Sequence, residues 1–258
     1  MPNAALDDLS EALWKRFATA RTGDSRDDLL RKLGMASMDD DVLRPSVAGI
    51  LLASDDPRQW LPNAFIQAVA YRGTEIRPTG DQAYQLDAAD ITGPLDQQVL
   101  SACHFIRKNM RVTASKSMGR EDAPQFDMTA VFEAIVNAVA HRDYAMQDAK
   151  IRLRIFADRM ELYSPGAIPN TMTVDSLPYR QAARNETVTS LLAKCRVPDK
   201  AGLETDRSTM MDKRGEGVSI ILHNSEKLSG RAPEYSLVDD SELRLVIYAP
   251  ADTDEGEG

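Results

Sequence analysis

The segment Val131-Phe-Glu-Ala-Ile-Val-Asn-Ala-Val-Ala-His141 restricts the fold more than any other stretch of the chain. Apart from Glu133, Asn137 and His141 every residue in it is apolar, and a helix apolar nearly all round belongs in an interior. The three exceptions stand four apart, so they form one line along the helix. An amide buried without a partner costs about 2–7 kcal/mol, and a carboxylate more. Something polar must therefore face that line. Two arrangements meet the requirement: an internal network, with Arg142 or Arg154 as partner, or a pocket for a metal and a nucleotide.

The flanking pattern sets the fold class. Asp127 can cap the helix that ends at about His141. Ile151, Leu153 and Ile155 alternate with Arg152 and Arg154, as in a half-buried strand. Asp158 and Arg159 turn the chain, and Met160 and Leu162 continue into a second strand. Asn170 to Lys213 reads as a long, mostly irregular stretch with one helix at Thr187 to Lys194. A helix from about Val218 to Lys227 and a strand at Leu243, Leu245 and Ile247 complete the series. Helices packed on a largely antiparallel mixed sheet make an α+β sandwich. Upstream, helices are expected at Leu6 to Phe17, Arg26 to Leu33, Val47 to Ala53 (with Pro45 at its start) and Pro94 to Met110. A strand is expected at Phe65 to Tyr71, and Asp81 to Gly93 fits a strand or a loop. Arg111 to Phe126 reads as a polar linker. Three parts follow: a small, mostly helical region over residues 1–93, a main domain over 94–250 and an acidic tail over 251–258.

Two further segments bear on the polar line. Ser164-Pro-Gly-Ala-Ile-Pro169 sets a glycine directly after a strand, where a ligand can approach the backbone closely. Arg214-Gly-Glu-Gly217 precedes a helix, and free N–H groups at a helix start suit phosphate. Each alone is also an ordinary turn or a capped loop; the ordered combination is more specific.

Glu133-x-x-x-Asn137-Ala-x-x-His-Arg-Asp-Tyr144 resembles the N box of the ATP-binding domain in Schlafen AlbA-type, RecG-like transcriptional regulators. The resemblance continues through Ile151 to Asp158, Ser164-Pro-Gly166, Arg184-Asn185 and Arg214-Gly-Glu-Gly-Val218, over roughly residues 95 to 249. Pro45 to Leu52 and Pro57 to Gly73 resemble the segment joining that family's DNA-binding and ATPase-like domains. The resemblance implies a GHKL-type fold binding ATP and Mg²⁺. By that analogy Asn137 reaches Mg²⁺ and the phosphates, and Glu133 orients or activates water. Gly166 lines the base pocket, and Gly215 and Gly217 contact phosphate. His141, Ser164, Arg184 and Arg214 complete the implied nucleotide set. The sequence departs from the pattern where Ser164 stands in place of an adenine-reading acid and where Glu186 follows Arg184-Asn185. Only about forty residues precede the joining segment, so most of an AlbA-type domain is not expected here.

Composition narrows the alternatives. A net charge of -9 opposes strong duplex DNA binding by this chain alone. No apolar run matches a membrane span, and two distant cysteines, Cys103 and Cys195, fit a reduced, cytoplasmic chain. No G-x-x-x-x-G-K-[ST] loop, zinc spacing or G-x-S-x-G elbow occurs. His104 and His223 read as packing or surface residues, and Trp14 and Trp60 as core anchors. The basic run Arg107, Lys108, Arg111, Lys116 and Arg120 fits a solvated face. The expected function is an ATP·Mg²⁺-binding regulatory module, a nucleotide-dependent switch with slow or no hydrolysis, with Asn170 to Lys213 closing over the nucleotide. A homo-oligomer or protein partner is compatible with it. The alternative is a non-enzymatic interaction or transcription-regulating protein with a vestigial pocket.

Overall fold

The computed structural model describes residues 1, 3–19, 25–76, 84–114, 122–180, 182–198, 207–212 and 214–251. The first elements are α1 (Glu11–Lys15), α2 (Arg26–Lys32), β1 (Ala36–Asp39), β2 (Val42–Pro45) and α3 (Val47–Ala53). Next come β3 (Ile66–Tyr71), β4 (Gln85–Ile91), α4 (Leu95–Asn109), β5 (Val112–Ala114), β6 (Asp122–Pro124) and α5 (Met128–His141). The chain continues with β7 (Ile151–Ile155), β8 (Arg159–Pro165), α6 (Glu186–Leu192), α7 (Gly217–Ser229), β9 (Glu234–Val238) and β10 (Glu242–Tyr248).

Six strands form one sheet in the order β4-β3-β7-β8-β10-β9. β3 and β7 run parallel, and the other neighbours run antiparallel. This is the mixed α+β architecture that the sequence pattern implied. Alternation decides which face is buried. Ile151, Leu153 and Ile155 of β7, Met160 and Leu162 of β8, and Leu245 and Ile247 of β10 enter the core. α4 packs against β3 and β4, α5 against β8 and α7 against β10, and α5 lies between the other two helices. Arg152, Arg154 and Arg244, from β7 and β10, gather around the Tyr163 ring of β8 at 4.4, 5.2 and 5.8 Å.

Residues 1–93 hold more than helices. β1 and β2 form a hairpin turned by Asp40 and Asp41, both at positive φ. β3 and β4 belong to the main sheet, so the division at residue 93 falls between a strand and a helix of one packed body. Pro45 ends β2 instead of opening α3; Ser46 caps that helix, accepting from Gly49 N at 3.0 Å. Trp14 is buried and Trp60 packs against the same core. His104 and His223 are exposed.

Arg111 to Phe126 is not a solvated linker at its described ends. β5 pairs with β6, Gln125 donates to the carbonyls of Phe156 and Ala157, and Phe126 is fully buried. Lys116 and Arg120 of the basic run lie outside the described residues. Asn170 to Lys213 is also more anchored than its composition suggested. α6 buries Val188, Leu191 and Leu192, and Arg196 bridges to Thr209. Of the acidic tail, residues 252–258 lie outside the described residues.

Candidate functional site

α5 is pinned at both ends. Asp127 accepts from Ala130 N at 2.8 Å, and Asn224 of α7 donates to the same carboxylate at 3.2 Å. The last carbonyls of a helix have no partner inside it, and here side chains supply them. Ser164 donates to the Ala138 carbonyl at 3.1 Å and Tyr144 to that of Val139 at 2.8 Å. Asn185 donates to the carbonyls of Ala140 and Arg142 at 3.0 and 2.8 Å. Glu133, Asn137 and His141 therefore stand on a helix fixed to the sheet, to α7 and to the start of α6.

Those three residues open onto a cavity of about 610 Å³. Leu162, Leu243 and Leu245 give it an apolar wall from the sheet, and Ile168, Met172 and Leu177 give another from the stretch after β8. Ser164, Gly166, Arg184, Gly215 and Gly217 also line it, so eight of the nine residues singled out from sequence meet in one place. Arg214 is the ninth. It is not part of the lining, and its side chain is 77% exposed.

The polar end of the cavity is built around Gly217, the first residue of α7. A Cβ there would come within 3.0 Å of Glu133 Oε2 and 3.1 Å of Asn137 Nδ2. Glycine lets the start of α7 close on the polar line of α5. The Asn137 amide makes no hydrogen bond among the described residues. Glu133 is 5% exposed, and Arg207 Nε donates to its Oε1 at 2.7 Å. Burial pushes its carboxyl above the usual range; Arg207 opposes this, and the charges of Asp212 and Glu216 add to it. Burial and the charge of Arg184 push the His141 imidazole down, which leaves it neutral at pH 7. At the other end, Gly166 has φ +116°, and a Cβ there would sit 2.9 Å from that of Asp143. Arg184 fixes this turn by donating to Asp143 at 3.0 Å and to the Ala167 carbonyl.

The partner of Glu133 is neither of the arginines expected from sequence. Arg142 is buried and donates to the carbonyls of Asn63 and Ala149, each at 2.6 Å. Arg154 stacks near Tyr163 on β8. Arg207 and Asp212, which donate and accept across 2.7 Å, were missed altogether. Both sit in a polar stretch with no periodicity, and Arg207 is far from Glu133 along the chain, so no local pattern marked them.

Residues 148–247 match a HATPase family model described as "Putative ATP-dependent DNA helicase recG C-terminal". The match begins after α5, so it contains Ser164, Gly166, Arg184, Gly215 and Gly217 but not Glu133 or Asn137. The second half of the chain has an ATPase-like fold. A crystal structure of the DIP2311 protein from Corynebacterium diphtheriae is similar at a TM-score of 0.65 and 22% identity. The similarity covers 96% of this chain and 46% of that one, so this chain spans less than half of its length; at that identity the likeness concerns the fold alone. The histidine kinase domain of the Escherichia coli osmosensor EnvZ matches at a TM-score of 0.29 and 11% identity, over 62% of this chain and 89% of that domain, too distant to carry an argument. No curated protein matches the chain. No helix among the described residues is long and apolar enough to cross a membrane.

Proposed function

We propose that the cavity binds ATP with Mg²⁺ and that the protein is a nucleotide-dependent regulatory module with slow or no hydrolysis. One observation carries this reading. The Asn137 amide, with no partner among the described residues, meets the N-terminal end of a thirteen-residue helix across a glycine, at the polar end of a cavity with apolar walls. A helix N-terminus favours phosphate, and an apolar slot favours a base. Mg²⁺ takes one or two protein oxygens and completes its shell with phosphate and water. Asn137 fits that donor set through its amide oxygen, and no cluster of three His, Cys, Asp or Glu side chains among the described residues suggests a dedicated metal cage. The metal would neutralise phosphate charge, while Asn137 orients it and Gly215 and Gly217 keep the phosphate ground clear of side chains. Gly166 and Ser164 would border the base. We place the nucleotide module at residues 94–250, with β3 and β4 completing its sheet, and read the rest of 1–93 as the segment joining it to a regulatory, transcription-related context in the cytoplasm.

The test is calorimetric titration of the full chain with ATP, ADP and GTP, with and without Mg²⁺, beside Asn137→Ala. Micromolar Mg²⁺-dependent binding of ATP, weakened about tenfold or more in Asn137→Ala at unchanged melting temperature, is expected. Equal affinity in the two proteins would refute the site. A second reading, a vestigial pocket in an interaction protein, draws on the Glu133–Arg207 pair, which occupies the carboxylate that hydrolysis would use. That reading expects no heat with any nucleotide.

A further inference from the structure

Arg207 stands where the segment after β8 meets the polar end of the cavity. It donates from Nε to Glu133 Oε1 and from Nη1 to Asp212 Oδ2, each at 2.7 Å. The two carboxylates share this guanidinium, so the three groups together carry one net negative charge. Glu133 is fixed on α5, whereas Arg207 and Asp212 belong to a stretch that reaches the glycines opening α7. Glu133, Asp212, Gly215 and Gly217 all line the cavity. The guanidinium therefore lies beside the ground proposed for phosphate.

A guanidinium in that position has two competing partners. It matches carboxylate and phosphate with the same planar fork, and phosphate brings more charge and more acceptor oxygens. Glu133 offers it one contact, shared with Asp212, and the charges of Asp212 and Glu216 work against the charge of Glu133. We propose that Arg207 is a positioning residue that exchanges Glu133 for the terminal phosphate of the nucleotide, so that the Glu133 carboxylate is released only when a triphosphate is bound. The exchange breaks one ion pair and forms another, with no covalent step. A diphosphate lacks the group that takes Arg207 and leaves the pair intact. This inference rests on the ATP reading above and adds to it a device that tells ATP from ADP.

The experiment compares ATP and ADP affinities, with Mg²⁺, of the full-length parent and of Arg207→Ala, Arg207→Lys and Glu133→Gln, each checked by melting curve. Arg207→Ala should lose about 10- to 100-fold in ATP affinity and keep its ADP affinity within about twofold, and Arg207→Lys should recover part of the loss. Glu133→Gln, which removes the competitor, should bind ATP a few-fold more tightly and ADP as the parent does. If Arg207 is only a structural partner of Glu133, the ATP-to-ADP ratio stays at the parent's value in every variant, and that result overturns the exchange while leaving ATP binding in place. If Arg207→Ala does not fold, Glu133→Gln decides: an unchanged ATP affinity there overturns the exchange. A parent that binds neither nucleotide overturns the ATP reading itself, and the exchange with it.

Discussion

Replacing Gly217 with alanine separates a glycine kept for helix packing from one kept for a ligand. The residue is the first of α7, and its φ lies outside the left-handed region, so alanine meets no backbone strain. In a helix interior alanine is favoured over glycine by about 0.8–1.0 kcal/mol, and less at a first position. Against this, the new methyl would lie 3.0 Å from Glu133 Oε2 and 3.1 Å from Asn137 Nδ2, and only side-chain atoms stand in its way. Each can yield by a few tenths of an ångström, and a modest departure from a preferred rotamer costs about 0.5–1.5 kcal/mol. The two effects nearly cancel, so the melting temperature should move by no more than roughly 4 °C. Binding should respond differently. The methyl fills the ground between Asn137 and the α7 N–H groups and turns the amide away from a bound metal–phosphate. Losing a charge-assisted contact costs about 1.5–3 kcal/mol, which is about 10- to 150-fold in Kd. Calorimetric titration with Mg·ATP, paired with a thermal melt of the same samples, reads both quantities. An affinity equal to the parent's, at a matched melting temperature, would refute the assignment of this corner to phosphate. A melting temperature lowered by ten degrees or more would instead assign the glycine to packing.

Glu161→Gln should destabilise the fold by about 3 kcal/mol in chemical denaturation, because Arg159, Arg244 and Tyr163 all donate to this buried carboxylate, at 2.7, 3.0 and 2.9 Å; a loss below about 0.5 kcal/mol would contradict that. Burial opposes the Glu161 charge, but those donors outweigh it and hold its pKa below the usual carboxylate range. The stability it contributes is therefore present above about pH 5 and is lost as pH falls through the depressed value, so the parent should lose stability on acidification faster than Glu161→Gln does. With a net charge of -9, the chain should bind duplex DNA no more tightly than micromolar at physiological salt. A sub-micromolar, salt-sensitive gel shift would show a segregated basic face instead.

The parts of the fold legible in sequence are those set by local pattern. α5 announces itself because its apolar residues wrap the whole helix and Asp127 stands where a cap must. β7 shows in the alternation of Ile151, Leu153 and Ile155 with two arginines. The β1–β2 hairpin was missed because its turn is Asp40-Asp41, not the glycine-bearing dipeptide that usually signals such a turn; aspartate tolerates positive φ here without advertising it. β9 is a short edge strand whose burial is only partial along its length, so its periodicity is weak. The parallel pairing of β3 with β7 joins segments far apart in the chain, and nothing in either segment encodes its neighbour. The candidate site divides in the same way. Residue types on one helix face, or beside a glycine at an element's end, could be picked out. The contacts that give those residues their electrostatic state could not: Arg207 on Glu133, and Tyr144, Ser164 and Asn185 on the end of α5.

Two glutamates show why those contacts matter. Glu133 and Glu161 are buried to almost the same degree, at 5% and 4% exposure, and each meets arginine at 2.7 Å. Their carboxyl groups nevertheless shift in opposite directions. Glu161 receives three donors from its own sheet, of which only Arg159 is shared with another carboxylate, that of Asp158. Glu133 receives one arginine, which it shares with Asp212, and the charges of Asp212 and Glu216 work against its own. A carboxylate satisfied by its own sheet behaves as a structural ion whose stabilising charge persists down to low pH. One held by a single shared partner at the wall of a cavity is the one whose charge state nearby positive charge or a competing anion would change. Perturbed carboxyl groups of the second kind gather where ligands act. Burial, which the sequence pattern can suggest, does not tell the two apart; the number of donors and the sign of the neighbouring charges do.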